Sequence, residues 1–178
     1  MVAELGEAGS SRLAVVVMGV SGSGKSSVGE GLASALGIDF VDGDGLHSPE
    51  NVAKMASGIP LVDDDRWPWL DKIGATLGDR AAHPAGIVVA CSALRKIYRD
   101  RIRAAAGQPI RFVFLDAPQS LVQERLGARK GHFMPPSLLT SQYATLERPN
   151  GEADVLPVAV DVPVVEIVRR AAVELAGG

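Results

Sequence analysis

Leu13-Ala14-Val15-Val16-Val17-Met18-Gly19-Val20-Ser21-Gly22-Ser23-Gly24-Lys25-Ser26-Ser27 decides the fold of this chain. Its first six residues are apolar and rich in Val, which reads as a buried strand. Gly19 to Ser26 then fits G-x-x-x-x-G-K-[ST], and residues 25–36 carry Val28, Leu32, Ala35 and Leu36 at helical spacing. Glycines let such a loop wrap so that main-chain N–H groups converge on an anion, and the helix behind adds a favourable dipole. The loop therefore reads as a cradle for a nucleotide polyphosphate, built by Gly19, Ser21, Gly22, Ser23, Gly24, Lys25, Ser26 and Ser27. Lys25 is placed to reach the outer phosphates, and the Ser26 hydroxyl to hold Mg²⁺.

Working outward, strand-like and helix-like segments take turns. Strands are expected at residues 38–41, 87–91, 110–115 and 158–162, besides 13–18. Helices are expected at 49–57, 67–80, 95–106, 119–129, 137–147 and 164–176, besides 25–36. The strands are almost continuously apolar, which predicts an α/β fold with a parallel five-stranded sheet and helices on both faces. The length of 178 residues suits one kinase-sized domain over residues 12–178, after a flexible tail at 1–11. That tail carries Glu4 and Glu7 and lacks the basic start and apolar centre of a secretory signal. Lys and Arg number 18 against 21 Asp and Glu, which argues against a protein that coats nucleic acid. No apolar run has the length of a membrane span. The lone cysteine, Cys91, excludes an internal disulfide and fits a reducing cytoplasm.

Asp42-Gly43-Asp44 follows the second strand, at the sheet edge where open α/β folds bind ligands. Two carboxylates two residues apart share a face if the chain stays extended. One can serve Mg²⁺ and the other accept a proton from an attacking hydroxyl, so Asp42 is expected near the metal and Asp44 as the base. Asp116, at the end of the fourth strand, is a rival for the metal, although the Ala117-Pro118 that follows favours a helix cap. A phosphate loop alone admits a small-molecule kinase, a GTP switch or a motor. The chain has no N-K-x-D guanine-reading motif and is short for a motor, so the two acids favour a kinase. A nucleotide-dependent switch protein remains the reading from another class.

Further blocks carry a resemblance. Asp42-Gly-Asp-Gly-Leu-His47, Asn51-x-x-Lys54-Met55-x-x-Gly58-x-Pro60-Leu61 and Asp65-Arg66-Trp-Pro-Trp-Leu70 are similar to the bacterial-type gluconokinase family. So are Ala90-Cys-Ser-Ala-Leu94, Tyr98-Arg-Asp100, Arg129-Lys-Gly-His-Phe-Met134 and Leu138-Leu-x-Ser-Gln142 with Leu146-Glu147. Gly45 and Ser48 depart from the family, which more often has an acidic residue and a proline there. The resemblance implies a fold like shikimate and nucleoside-monophosphate kinases, with a substrate segment at about 45–70, a mobile lid at about 129–137 and usually a dimer. It implies transfer of the ATP γ-phosphate to the 6-hydroxyl of D-gluconate, with another small-acid kinase as the alternative.

The side chains agree with that expectation. Gluconate carries a permanent carboxylate, and Arg66 offers paired donors in one plane to meet it. His47, three residues after Asp44, is expected to line the same pocket. Lys54 is a weaker candidate. Trp67 and Trp69 are expected to pack around Pro68 rather than wall the site. Arg125 and Arg129 share a helix face, with Lys130 and His132 close behind. A basic, hinged segment suits a lid over a triphosphate, so Arg125 and Arg129 are expected on phosphate, and Arg129 and His132 at the substrate. The basic cluster Arg95, Lys96, Arg99, Arg101 and Arg103 reads by default as a solvated helix face, with Arg99 alone a weak candidate for more.

Overall fold

The computed structural model describes residues 12–128 and 136–177. Five strands form one sheet: β1 (Leu13–Met18), β2 (Asp39–Asp42), β3 (Gly86–Ala90), β4 (Arg111–Asp116) and β5 (Val155–Ala159). Their order is β2-β3-β1-β4-β5, and every pairing is parallel. Among the described residues seven α-helices surround them: α1 (Lys25–Leu36), α2 (Pro49–Ala56), α3 (Asp63–Gly78), α4 (Lys96–Ala106), α5 (Gln119–Ala128), α6 (Pro136–Thr145) and α7 (Val164–Ala176).

The all-apolar β1 has a direct cause, since its side chains are buried on both faces. Val15 and Val17 meet Val28 and Leu32 of α1 and Ile167, Ala171 and Leu175 of α7. Ala14, Val16 and Met18 meet Leu70, Ile73 and Leu77 of α3 and Ile102 of α4. Register then fixes where ligands can sit. Val17 is opposite Ala90, and Ala90 is opposite Asp42, so the ends of β1, β3 and β2 lie along one sheet edge. The chain passes from one side of β1 to the other between β3 and β4, which opens the crevice at the end of β1.

Two boundaries differ from expectation. Helix α3 begins at Asp63, a turn before Trp67, and includes Pro68. The Asp65 carboxylate accepts from the Val62 N–H at 3.0 Å, and Asp63, Asp64 and Asp65 complement the dipole of the first turn. Pro68 removes one bond early in the helix without ending it. Strand β5 runs three residues earlier than expected and contains Pro157. It is an edge strand, where a missing N–H is tolerated.

Two side-chain readings are also corrected. Arg99, placed in a solvated face, is fully buried (0 % exposed). Its guanidinium donates to the carbonyls of Ala93 (2.8 Å), Leu94 (3.1 Å) and Glu147 (2.9 Å), and twice to the Glu152 carboxylate (2.8 and 2.9 Å). All five of its N–H donors therefore have acceptors. Asp116 is no helix cap: Arg148 holds it with two bonds of 2.6 and 3.0 Å. Cys91 is buried, and burial pushes its thiol up to about 12, so it behaves as a small core residue.

Arg99→Ala is expected to destabilise the fold by about 3–5 kcal/mol in urea unfolding, because it strands buried carbonyls and a carboxylate. Arg101 pairs with Asp71 at the surface, where solvent screens the pair, and Arg101→Ala is expected to cost far less stability than Arg99→Ala. Equal losses in the two variants contradict this assignment.

Candidate active site

The loop after β1 is shaped from within. The Val20 carbonyl accepts the Ser23 N–H at 3.2 Å, the Ser23 hydroxyl at 2.7 Å and the Lys25 ammonium at 3.0 Å. Ser23 is thereby turned inward and buried. Its hydroxyl shapes the loop, in contrast to the phosphate contact expected of it. Gly24 takes a left-handed conformation (φ 99°) as the N-cap of α1, which a side chain rarely adopts. Among the described residues, the N–H groups of Gly22, Gly24, Lys25, Ser26 and Ser27 have no protein acceptor. They converge at a helix N-terminus, the arrangement that suits an oxyanion. Gly22 lies against Val122 and Leu126, so α5 packs directly on the loop.

A cavity of about 230 Å³ opens over these groups, lined by Ser21, Gly22, Gly24, Lys25, Ser26, Ser27, Asp42, Asp44 and Ala90. Two sequence-distant pieces, the loop and the acids after β2, thus share one concavity. Burial lowers the Lys25 ammonium below its ordinary value, while the Asp44 and Asp42 charges pull it back up. The Ser26 hydroxyl donates to an Asp42 oxygen at 3.2 Å, and the other Asp42 oxygen accepts the Asp44 N–H at 3.0 Å. Ser26 and Asp42 together form a small, hard oxygen donor set of the kind that suits Mg²⁺ completed by water and phosphate. No group of three or more His, Cys, Asp or Glu side chains with metal-site geometry occurs among the described residues.

Gly43 holds the two acids against the sheet. A Cβ there would lie 2.4 Å from the Ala90 carbonyl oxygen, so only glycine allows this approach. Its own carbonyl accepts from Trp69 Nε1 at 2.8 Å, and the Trp69 ring stacks on His47 with centroids 4.0 Å apart. Trp69 is buried, as expected of a packing residue, yet it also forms the floor under His47.

His47 and its neighbours form the outer rim. Asn51, almost fully buried, donates to the Asp65 carbonyl at 2.8 Å and to His47 Nδ1 at 3.2 Å. An amide nitrogen can only donate, so His47 Nδ1 accepts and Nε2 carries the hydrogen. Lys54 pairs with Asp65 at 2.8 Å, which holds the Asp65 carboxyl below its ordinary range. Arg66 uses only Nη1, to Asp63 at 3.5 Å and Tyr98 at 3.3 Å. Asp63 also serves Arg95 at 3.0 Å and Tyr98 at 2.5 Å. The remaining donors of the Arg66 fork have no acceptor among the described residues.

Arg125 sits on α5 and donates to the Val160 carbonyl at 2.5 Å. Arg129, Lys130 and His132, and with them most of the expected lid, lie outside the described residues. The sequence reading gave no role to Gln142, Asn51, Asp63 or Tyr98. Gln142 of α6 bonds Ser21 twice, accepting its N–H at 2.7 Å and donating to its hydroxyl at 2.9 Å. A polar residue on the apolar stripe Leu139, Tyr143, Leu146 was its available signal.

A sequence-family profile described as an AAA domain matches residues 15–149. The gluconokinase of Gluconobacter oxydans (strain 621H) is 46% identical over 160 residues, covering 88% of this chain and 89% of that protein. The chain belongs to the gluconokinase family. The thermoresistant gluconokinase of Escherichia coli (strain K12) is 45% identical over 156 residues, covering 86% and 87%. A crystal structure of a gluconokinase from Sinorhizobium meliloti 1021 superposes with a TM-score of 0.84 at 53% identity, covering 93% of this chain and 92% of that one. Shikimate kinase from Aquifex aeolicus shares the fold at a TM-score of 0.58 and 17% identity. This gluconokinase-family chain is thus an α/β kinase with a phosphate-binding loop.

Burial lowers the His47 imidazole below its ordinary 6.5, with Asp44 opposing and Arg66 assisting. The folded state disfavours the imidazolium, so this group's contribution to stability is complete above 6.5 and falls as the pH drops below it. An NMR titration of the His47 ring is expected to show a midpoint below 6.5. A midpoint at or above that value contradicts the half-buried, neutral Nε2–H form.

Proposed function

We propose that this chain transfers the terminal phosphate of ATP to the 6-hydroxyl of D-gluconate, giving 6-phosphogluconate and ADP. One observation carries the reading: unpaired main-chain amides, Lys25, Ser26 and the Asp42–Asp44 carboxylates line a single cavity. The names of the relatives supply the acceptor, since the Gluconobacter oxydans and Escherichia coli relatives at 45–46% identity and the Sinorhizobium meliloti structure at 53% are gluconokinases.

Each residue then has a task. The amides of Gly22 and of Gly24 to Ser27 hold the phosphates, and Lys25 balances their charge. Ser26, with Asp42 behind it, holds Mg²⁺, which when bound offsets the charge on the phosphate oxygens. The 6-hydroxyl oxygen forms a bond to the terminal phosphorus while its proton passes to Asp44. The bond from that phosphorus to the bridging oxygen breaks, and the electron pair leaves with ADP. Asp44 suits the base because it stands in the cavity without the lock that Asp42 has on Ser26. The open fork of Arg66 takes the gluconate carboxylate, and His47 offers its Nε2–H to a hydroxyl. Arg125 from α5, with Arg129 and His132 from the lid at about 129–137, completes the phosphate and substrate contacts. Residues 45–70 form the substrate segment, and the kinase domain extends over 12–178. The family resemblance adds a homodimer working in the cytoplasm, a setting that fits the lone buried Cys91. No helix among the described residues is long and apolar enough to cross a membrane.

Asp44→Asn is expected to lower kcat by about 10²–10⁴-fold while ATP binding persists. Arg66→Lys is expected to raise the KM for gluconate by about tenfold or more, with less effect on neutral sugars tested in a panel. ADP release assays check both. Near-normal turnover by Asp44→Asn removes the base, and a wild-type preference for a neutral sugar removes the carboxylate fork.

A further inference from the structure

Helix α6 lies against the phosphate loop. Its inward face is apolar at Leu139 and Tyr143, with Leu146 just past its end packed on the same core and Leu139 fully buried. Gln142 is the polar exception on that face. The helix is well anchored: the Tyr143 hydroxyl donates to the Ala117 carbonyl at 2.7 Å, and Gln119 donates to the Thr140 hydroxyl at 3.1 Å. The Gln142 amide is therefore presented from a fixed support.

That amide makes a two-point clip on Ser21. Its oxygen accepts the Ser21 N–H at 2.7 Å, and its nitrogen donates to the Ser21 hydroxyl oxygen at 2.9 Å. The orientation is chemically forced, because a flipped amide would set two donors against each other at the Ser21 N–H. Two consequences follow. The Ser21 N–H is withdrawn from the set of amides free to meet phosphate. The Ser21 hydroxyl receives a hydrogen bond on its oxygen, so its own hydrogen must point elsewhere. Among the described residues that hydrogen meets no acceptor, and Ser21 lines the cavity.

We infer that Gln142 is a positioning residue that turns the Ser21 hydroxyl into a donor aimed at the terminal phosphate of the bound nucleotide. The inference rests on the reading of this cavity as the phosphate site, but not on the identity of the acceptor. It gives α6, more than a hundred residues away in sequence, a direct hold on the phosphate loop. Ser21 then contributes through its side chain, and its main chain serves only to fix that side chain.

The test compares wild type with Ser21→Ala, Gln142→Met, Gln142→Ala and the double variant Ser21→Ala with Gln142→Met. Gln142→Met keeps the bulk of the side chain, so α6 retains its packing. Calorimetric titration with Mg·ATP and with Mg·ADP gives the preference for the triphosphate. A bond made only to the terminal phosphate predicts that Ser21→Ala and Gln142→Met each lower this preference by about tenfold. The double variant is expected to match the single variants, because both act through one hydroxyl. An unchanged preference in Gln142→Met overturns the inference. So does a double variant that loses the product of the two effects, or a Gln142 variant that weakens ATP and ADP alike. Turnover with gluconate, followed on the same wild-type sample, judges the proposed acceptor separately, since the two affinities need no acceptor.

Discussion

Three donors converge on the Val20 carbonyl: the N–H and hydroxyl of Ser23 and the ammonium of Lys25. This convergence curls the chain between β1 and α1 and leaves the next amides facing outward. A loop without it would have to be held by its ligand. With it, the amides of Gly22 and of Gly24 to Ser27 are set in place beforehand, so little reorganisation opposes anion binding. The strand beneath is buried on both faces and fixed by register to β3 and β4, which makes it a rigid base for the loop.

The supports around the loop come from distant parts of the chain. The Ser92 carbonyl accepts the Gly19 N–H at 3.3 Å, and the next residue, Ala93, has a left-handed backbone (φ 44°) unusual for alanine. The buried Arg99 grips the Ala93 and Leu94 carbonyls and ties them to Glu147 and Glu152. Strain at the foot of the loop is thus held by a fully satisfied guanidinium. On the other side, Gly43 lets the Asp42–Asp44 pair lie against the end of β3, with Trp69 bonded to its carbonyl. Placing the two acids therefore depends on one missing Cβ and one indole.

Much of this was legible in the sequence where periodicity and local chemistry act alone. The Val-rich runs announced buried parallel strands, and Gly19 to Ser26 announced the loop. The meeting of that loop with Asp42 and Asp44 followed from strand ends sharing one edge. Other features were hidden because they are tertiary. Arg99 has the same local surroundings as Arg101 and Arg103, and only packing shows that it is buried. Asp116 looked like a cap because Arg148, its partner, is 32 residues away. Pro157 disguised β5, since a proline is compatible with a strand only at a sheet edge, and edge position is a property of topology. The roles of Asn51 and Gln142 depend on single amides meeting partners from other elements, which no spacing rule reveals.

A crystal structure with a non-hydrolysable ATP analogue, Mg²⁺ and gluconate tests the central claim most directly. The account predicts the outer phosphates among the amides of Gly22 and Gly24 to Ser27, with the 6-hydroxyl of the sugar acid between the terminal phosphorus and Asp44. A sugar acid bound away from Asp44, or phosphates resting outside those amides, would contradict it.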